Sequence, residues 1–326
     1  MKKLLALLLT FVMALTLVGC SDSDDNYVMA NVPKLVGINW FDRMGEGVVE
    51  YGEKSGYDTF QTGPTKADPA LQVSSIEDVI AQGVDVLTVV PFSPEALEPV
   101  LKRAREEGIV VISHEASNQQ NIDYDVEAFD NVAFGAHMMD NLAEATGGKG
   151  QYVIFVGGLT AKTHMEWAEG AQTRQEEAYP EMELVVERIE SLEDSQVAYQ
   201  KMKEVIQTYP DISGALGCAA TDVAGVALAV EEAGLEDQVS IAGISLVSIS
   251  EEYVERGTIH KISFWDPKDA ALAMFAVAEK VLAGEEVKSG DDLGVPGYEN
   301  VTVVGKVIYG NAWVDVDVSN MADYDF

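Results

Sequence analysis

From residue 27 onward, short apolar runs alternate with amphipathic stretches. The run VDVLTVV at 84–90 is too uniformly apolar for a half-exposed strand and suits a parallel strand buried on both faces. The run at 109–113 has the same character. The stretch 69–82 puts Ile76, Val79 and Ile80 on one face, and 94–107 puts Leu97, Val100, Leu101 and Ala104 at i, i+3, i+4 and i+7, so both predict helices. Gly108 stops the second of them. Strands are expected at 27–34 and 57–62, with a helix at 45–56 closed by glycine. The βαβαβαβ order predicts a doubly wound parallel sheet.

A second series follows. Helices are expected at 131–145 (capped by Asp130), 163–179, 195–208, 222–233 and 250–256. Strands are expected between them at 151–156, 183–189, 214–218, 239–244 and 259–265. After the turn Asp266-Pro267 a helix spans 268–282, and 300–316 has strand character. A parallel sheet buries both faces, so each set is expected to need its own core, and two α/β domains are predicted. The helix 268–282 is surplus to the second set and is expected to return to the first.

The leader changes the setting. Lys2 and Lys3 precede an apolar run at 4–18, as in a secretory signal. The ending Leu17-Val18-Gly19-Cys20 resembles the bacterial lipobox, in which cleavage falls before a cysteine that carries lipid. Residues 1–19 are therefore expected to be a signal peptide and 20–26 a polar tether. Cys20 is the expected anchor, holding a soluble body at the extracytoplasmic face of the cell membrane. A plain transmembrane span would need ~20 apolar residues, and no charged stop-transfer patch follows.

Composition removes several partners and chemistries. A formal net charge of -34 repels nucleic acid and anionic lipid. With Cys20 lipidated, Cys218 has no cysteine to pair with, so no disulfide framework is expected. There is no GxSxG elbow, HExxH, P-loop or CxxC, and the four histidines show no metal-ligand spacing. No catalytic residue, metal or cofactor is expected, and a monomer is the default.

Several short matches in order carry a family likeness. They are Pro33-Lys34-Leu35-Val36-Gly37 with Trp40-Phe41; Gly63-Pro64-Thr65; Ala81-Gln82-Gly83-Val84-Asp85; Ser93-Pro94; Val254-Glu255-Arg256-Gly257; Trp265-Asp266; and Tyr324-Asp325-Phe326. In this order and spacing the chain resembles the type I periplasmic binding proteins that feed ABC sugar importers, most of all the rhamnose- and autoinducer-2-binding subgroup. The resemblance implies two Rossmann-like lobes, a three-segment hinge and one ligand in the cleft. It places crossings near 116–124, 266 and 290, giving lobes of 27–116 plus 267–289 and 117–266 plus 290–326. Where that subgroup has an aspartate–glutamine pair this chain has Thr163-His164, and where it has proline this chain has Cys218. Glu115 stands in place of its aspartate, so the ligand's class carries over but not its identity.

Strand ends supply the candidate ligand contacts, because ligands of open parallel sheets lie beyond the carboxyl ends of the strands. Lys34, Asn39, Trp40 and Phe41 follow the first strand, and His114 and Glu115 the fourth. Thr163 and His164 follow the first strand of the second set, Ala220 and Asp222 a later one, and Trp265 and Asp266 lie at a crossing. Asp222 doubles as a helix cap, while Cys218 and Trp167 read as packing. Aromatic faces beside hydrogen-bonding groups suit a sugar's CH face and hydroxyl rim. The expected function is a lipid-anchored binding component of an ABC importer, with the permease as partner. The alternative is a sensor that presents its closed form to a membrane receptor or kinase. An extracytoplasmic enzyme is the least supported.

Overall fold

The computed structural model describes residues 26–326. The leader, Cys20 and all of the tether but Asn26 lie outside the described residues. The first layer begins with β1 (Val28–Val32), α1 (Asn39–Ser55), β2 (Asp58–Gln61), α2 (Pro69–Gln82), β3 (Val86–Val89), α3 (Pro94–Glu106), β4 (Val110–His114) and β5 (Tyr124–Glu127). The second continues with α4 (Asn131–Thr146), β6 (Lys149–Val156), α5 (Lys162–Ala178), β7 (Glu181–Glu190), α6 (Ser195–Thr208) and β8 (Ile212–Gly217). Then come α7 (Asp222–Ala233), β9 (Ser240–Ile244), α8 (Val247–Glu255), β10 (Ile259–Phe264) and α9 (Pro267–Leu282). The last strands are β11 (Thr302–Val304), β12 (Val307–Tyr309) and β13 (Val314–Val316).

One sheet has the order β11-β12-β5-β4-β3-β1-β2 and the other β13-β10-β9-β8-β6-β7. All pairings are parallel except β11 with β12 and β10 with β13. This is the doubly wound α/β pair that the alternation predicts. β3 and β4 are buried at every position, as strands covered by helices on both faces must be.

The sheets divide the chain differently from the expected 27–116 plus 267–289 and 117–266 plus 290–326. Residues 124–127 pair with β4, and β12 pairs with β5, so both segments assigned to the second lobe belong to the first sheet. The described chain crosses between layers at 128–130, 265–266 and 310–313. β5 escapes a pattern search because two of its three buried positions, Asp125 and Glu127, are acidic. β11 and β12 are only three residues each. Separate cores are realised only in part. One apolar cluster fills the face of the first sheet under α2 and α3, but the other runs through both layers by way of Trp40, Phe129, Trp167 and Trp265.

Two close approaches fix the elements around the cleft. α9 returns to the first layer as expected and lies on α1, where a Cβ on Gly47 would sit 2.4 Å from the Lys268 carbonyl oxygen. Tyr51 of α1 stacks on Phe275 of α9 with ring centroids 5.0 Å apart. α4 and α5 meet backbone to backbone: a Cβ on Gly135 would lie 2.0 Å from the Trp167 oxygen, and one on Gly170 2.2 Å from that of Val132. That contact sets the height of α5, which carries His164 and Trp167. Helix α1 starts six residues earlier than the 45–56 expected, because its N-cap is Ile38, which offers no side-chain bond and hence no capping signal. Asn39, Trp40 and Phe41 therefore form its first turn rather than a loop.

Candidate functional site

Both sheets turn their carboxyl ends toward one cleft. The end of β1 supplies Lys34 and the start of α1 supplies Trp40 and Phe41; Glu115 follows β4. Facing them are His164 at the start of α5, Glu193 after β7, Cys218 and Ala220 after β8, and Trp265 after β10. These side chains, with Ile38, Trp167 and Ile244, enclose a cavity of about 20 Å³. Outward it meets a wider groove of about 560 Å³, which shares Ile38 and Glu193 with it. Those two residues form the neck. The inner cavity holds little more than a water molecule, so a larger guest requires the layers to part.

The walls are aromatic. Trp40 and Trp265 meet edge to face at 4.7 Å, Trp167 stands edge-on to Trp265 at 5.6 Å, and His164 stacks on Trp167 at 5.1 Å. The indole Nε1 of Trp265 is buried without a hydrogen-bond partner.

The floor is polar and joins the two layers. Lys34 Nζ donates to Glu115 Oε2 at 2.8 Å in its own layer and lies 3.3 Å from Glu193 Oε1 in the other. Burial works against the ammonium, but the two carboxylates outweigh it and hold Lys34 well above the ordinary lysine range. Burial raises the Glu193 carboxyl, and Lys34 opposes that rise. The backbone N–H of Gly157 donates to His164 Nδ1 at 3.1 Å, and His164 Nε2 lies 3.4 Å from Lys34 Nζ. Burial, aided by the Lys34 charge, holds this ring well below the usual histidine range, so it is neutral. Glu115, Leu192 and Glu193 are the non-glycine residues with positive φ among the described residues, at 59°, 57° and 57°. Such backbone is costly and gathers at functional sites.

Of the residues named from sequence, Lys34, Trp40, Phe41, Glu115, His164, Ala220 and Trp265 line the inner cavity. The others stand elsewhere. Asp266 is committed to a bidentate pair with Arg43 at 2.7 and 3.0 Å, and it caps α9 by accepting from Lys268. Asn39 is exposed at the rim, where its amide donates to the Ser248 carbonyl at 3.4 Å. Thr163 is buried beside Glu127, to which its hydroxyl donates at 3.4 Å. His114 lies behind Trp265, with Nδ1 donating to the Val126 carbonyl. Asp222 caps the β8–α7 turn through the Ala219 N–H at 2.8 Å, and burial pushes its carboxyl up to about 7. Glu193 was not named, although the strand-end rule applied to β7 leads to it. Trp167 and Cys218, which read as packing, also face the cavity. Among the described residues no His, Cys, Asp and Glu group could hold a metal ion, and no helix is long and apolar enough to cross a membrane.

Two sheets hinged by three strands of chain, with one aromatic and charged cleft at their facing ends, define a two-lobed binder of a small molecule. The chain belongs to the periplasmic binding protein family, whose domain matches residues 29–286. Family members are binding components of transport systems rather than enzymes. A xylitol-binding protein from Mycolicibacterium smegmatis is 27% identical over 287 residues, covering 85% of this chain and 79% of that protein. A solute-binding protein from Clostridium phytofermentas, solved with bound L-rhamnose, superposes with a TM-score of 0.83 at 20% identity, covering 92% of this chain and 98% of its own. An autoinducer-2 complex of a Clostridium saccharobutylicum binding protein also gives 0.83 at 20% identity, covering 92% of this chain and 100% of its own. The type I fold expected from the sequence is thus shown.

Proposed function

We propose that the protein is the sugar-binding component of an ABC importer, held by lipid on Cys20 at the extracytoplasmic face of the membrane and acting as a monomer. It closes its lobes over a monosaccharide or polyol and presents the closed form to a permease. The observation that carries this reading is the indole wall of Trp40 and Trp265 standing over the Lys34–Glu115–Glu193 floor. The wall covers the CH face of a sugar, and the floor meets its hydroxyls with acceptors and one ammonium. The xylitol-binding relative supports a small polyol-like guest, because its similarity runs over most of both chains.

Dialysed protein is screened by thermal shift against xylitol, pentoses, hexoses and deoxysugars. A true ligand well above its Kd raises the melting temperature. Failure of every one of these to raise it would overturn the reading. Intact mass of the membrane-bound form, compared with Cys20→Ala, tests the anchor: the lipid mass disappears in the variant.

A further inference from the structure

The neck of the cleft holds no surplus positive charge. Lys34 is the one cationic side chain lining the inner cavity among the described residues, and two carboxylates already flank it at 2.8 and 3.3 Å. The His164 ring brings no charge, and Arg43 is bound to Asp266 outside the cavity. Glu193 lines the cavity with its Oε1 3.3 Å from Lys34 Nζ, which places a second carboxyl acceptor beside the single ammonium. Its backbone, and that of Leu192 before it, adopt the left-handed conformation that non-glycine residues avoid, which aims this carboxyl inward from the end of β7.

We infer that Glu193 sets the charge selectivity of the cleft, admitting neutral polyhydroxylated molecules and rejecting their carboxylate-bearing counterparts. The inference rests on the binding reading above and narrows it. A hydroxyl can donate to Glu193, whereas a ligand carboxylate has no proton to donate and would lie unpaired beside two acidic groups in a dry site. That is selection by an unfavourable contact rather than by an added favourable one. With Lys34 already flanked by both carboxylates, the inner cavity holds no unmatched cation for an anion, and Lys66 lines only the outer groove. Glutamine at this position keeps an acceptor oxygen and the shape, and releases part of Lys34 to pair with an incoming acid.

The test is calorimetric titration of the wild-type protein and Glu193→Gln with neutral xylitol, D-xylose and L-rhamnose and with the acids D-xylonate and D-glucuronate. The wild type is expected to bind at least one neutral compound and to bind the acids about 100-fold more weakly, and Glu193→Gln to shrink that ratio at least about tenfold. Glu193→Asp, which keeps the charge, should retain discrimination. Acids that bind the wild type within about threefold of the neutral compounds would overturn the inference and leave the binding reading standing. So would an unchanged ratio in a Glu193→Gln protein that melts as the wild type does. If no neutral compound binds the wild type, the binding reading fails and the inference falls with it.

Discussion

Lys34 Nζ lies 3.3 Å from Glu193 Oε1, and this contact ties the first layer to the second across the floor of the cleft. The same ammonium is bonded to Glu115. Removing it leaves two buried carboxyl groups without their counter-charge. Lys34→Met should therefore lower unfolding free energy by about 3–5 kcal/mol, the usual cost of stripping one partner from a buried pair, and should abolish ligand binding. Urea denaturation and titration check the two halves of this expectation.

His164 gives the protein an acid-side weakness. Its ring stays neutral in the fold because burial and Lys34 depress its proton affinity, whereas in the unfolded chain it charges near pH 6.5. The unfolded state then binds more protons, so stability is complete above about pH 6.5 and falls below it, by up to ~1.4 kcal/mol per pH unit. His137 opposes this: Asp315, 2.7 Å away, raises its ring, so its contribution is present below the unfolded value and fades as pH rises. His164→Gln should flatten the decline between pH 6.5 and 5 relative to wild type, as seen in melts across that range. A decline of unchanged slope would count against the buried neutral ring.

Asp222 works in the other direction. Burial pushes its carboxyl up to about 7, while the unfolded chain releases that proton near pH 4. The folded state holds the extra proton between those values, so this residue's contribution to stability falls as pH rises through them, by about 4 kcal/mol in all. Asparagine keeps an acceptor for the Ala219 N–H. Asp222→Asn should therefore gain on the wild type steadily from pH 4.5 to 7 and then hold its lead, whereas parallel curves would show an ordinary carboxylate.

Arg43 positions the indole it does not touch. Its guanidinium grips Asp266 through two bonds, lies 4.1 Å from the Phe326 ring centroid, and sits one helical turn beyond Trp40. Asp266 is the neighbour of Trp265, so the pair anchors the crossing that carries one wall of the cleft. Arg43→Ala should weaken ligand binding about tenfold, and Arg43→Lys should restore little of it, because an ammonium cannot reproduce the planar two-point grip. Titration and the ligand-induced change in tryptophan fluorescence provide the readout.

Local pattern carried most of the fold. The apolar runs of β3 and β4 and the one-sided stripe of α2 appear in the structure within two residues of where the sequence places them. Contacts across the chain were not legible. Asp266 looked like a cleft acid because nothing near it reveals Arg43, 223 positions away. No strand was expected at 124–127, where Asp125 and Glu127 break the apolar run, yet both are buried inside β5 of the first sheet. Glu193 could have been reached from the end of β7, but that strand is of mixed burial and its loop carries no apolar signal, and the pairing with Lys34 shows only once the two layers face each other.

The pairing of β12 with β5 joins residues 307–309 to 125–127. As the polypeptide emerges from the ribosome, the half begun first is thus the half completed late: it waits through the whole of its neighbour's synthesis for the strand that seals its edge. Excising either half as a continuous piece would leave a gap, so a lone lobe must be built by splicing distant segments together.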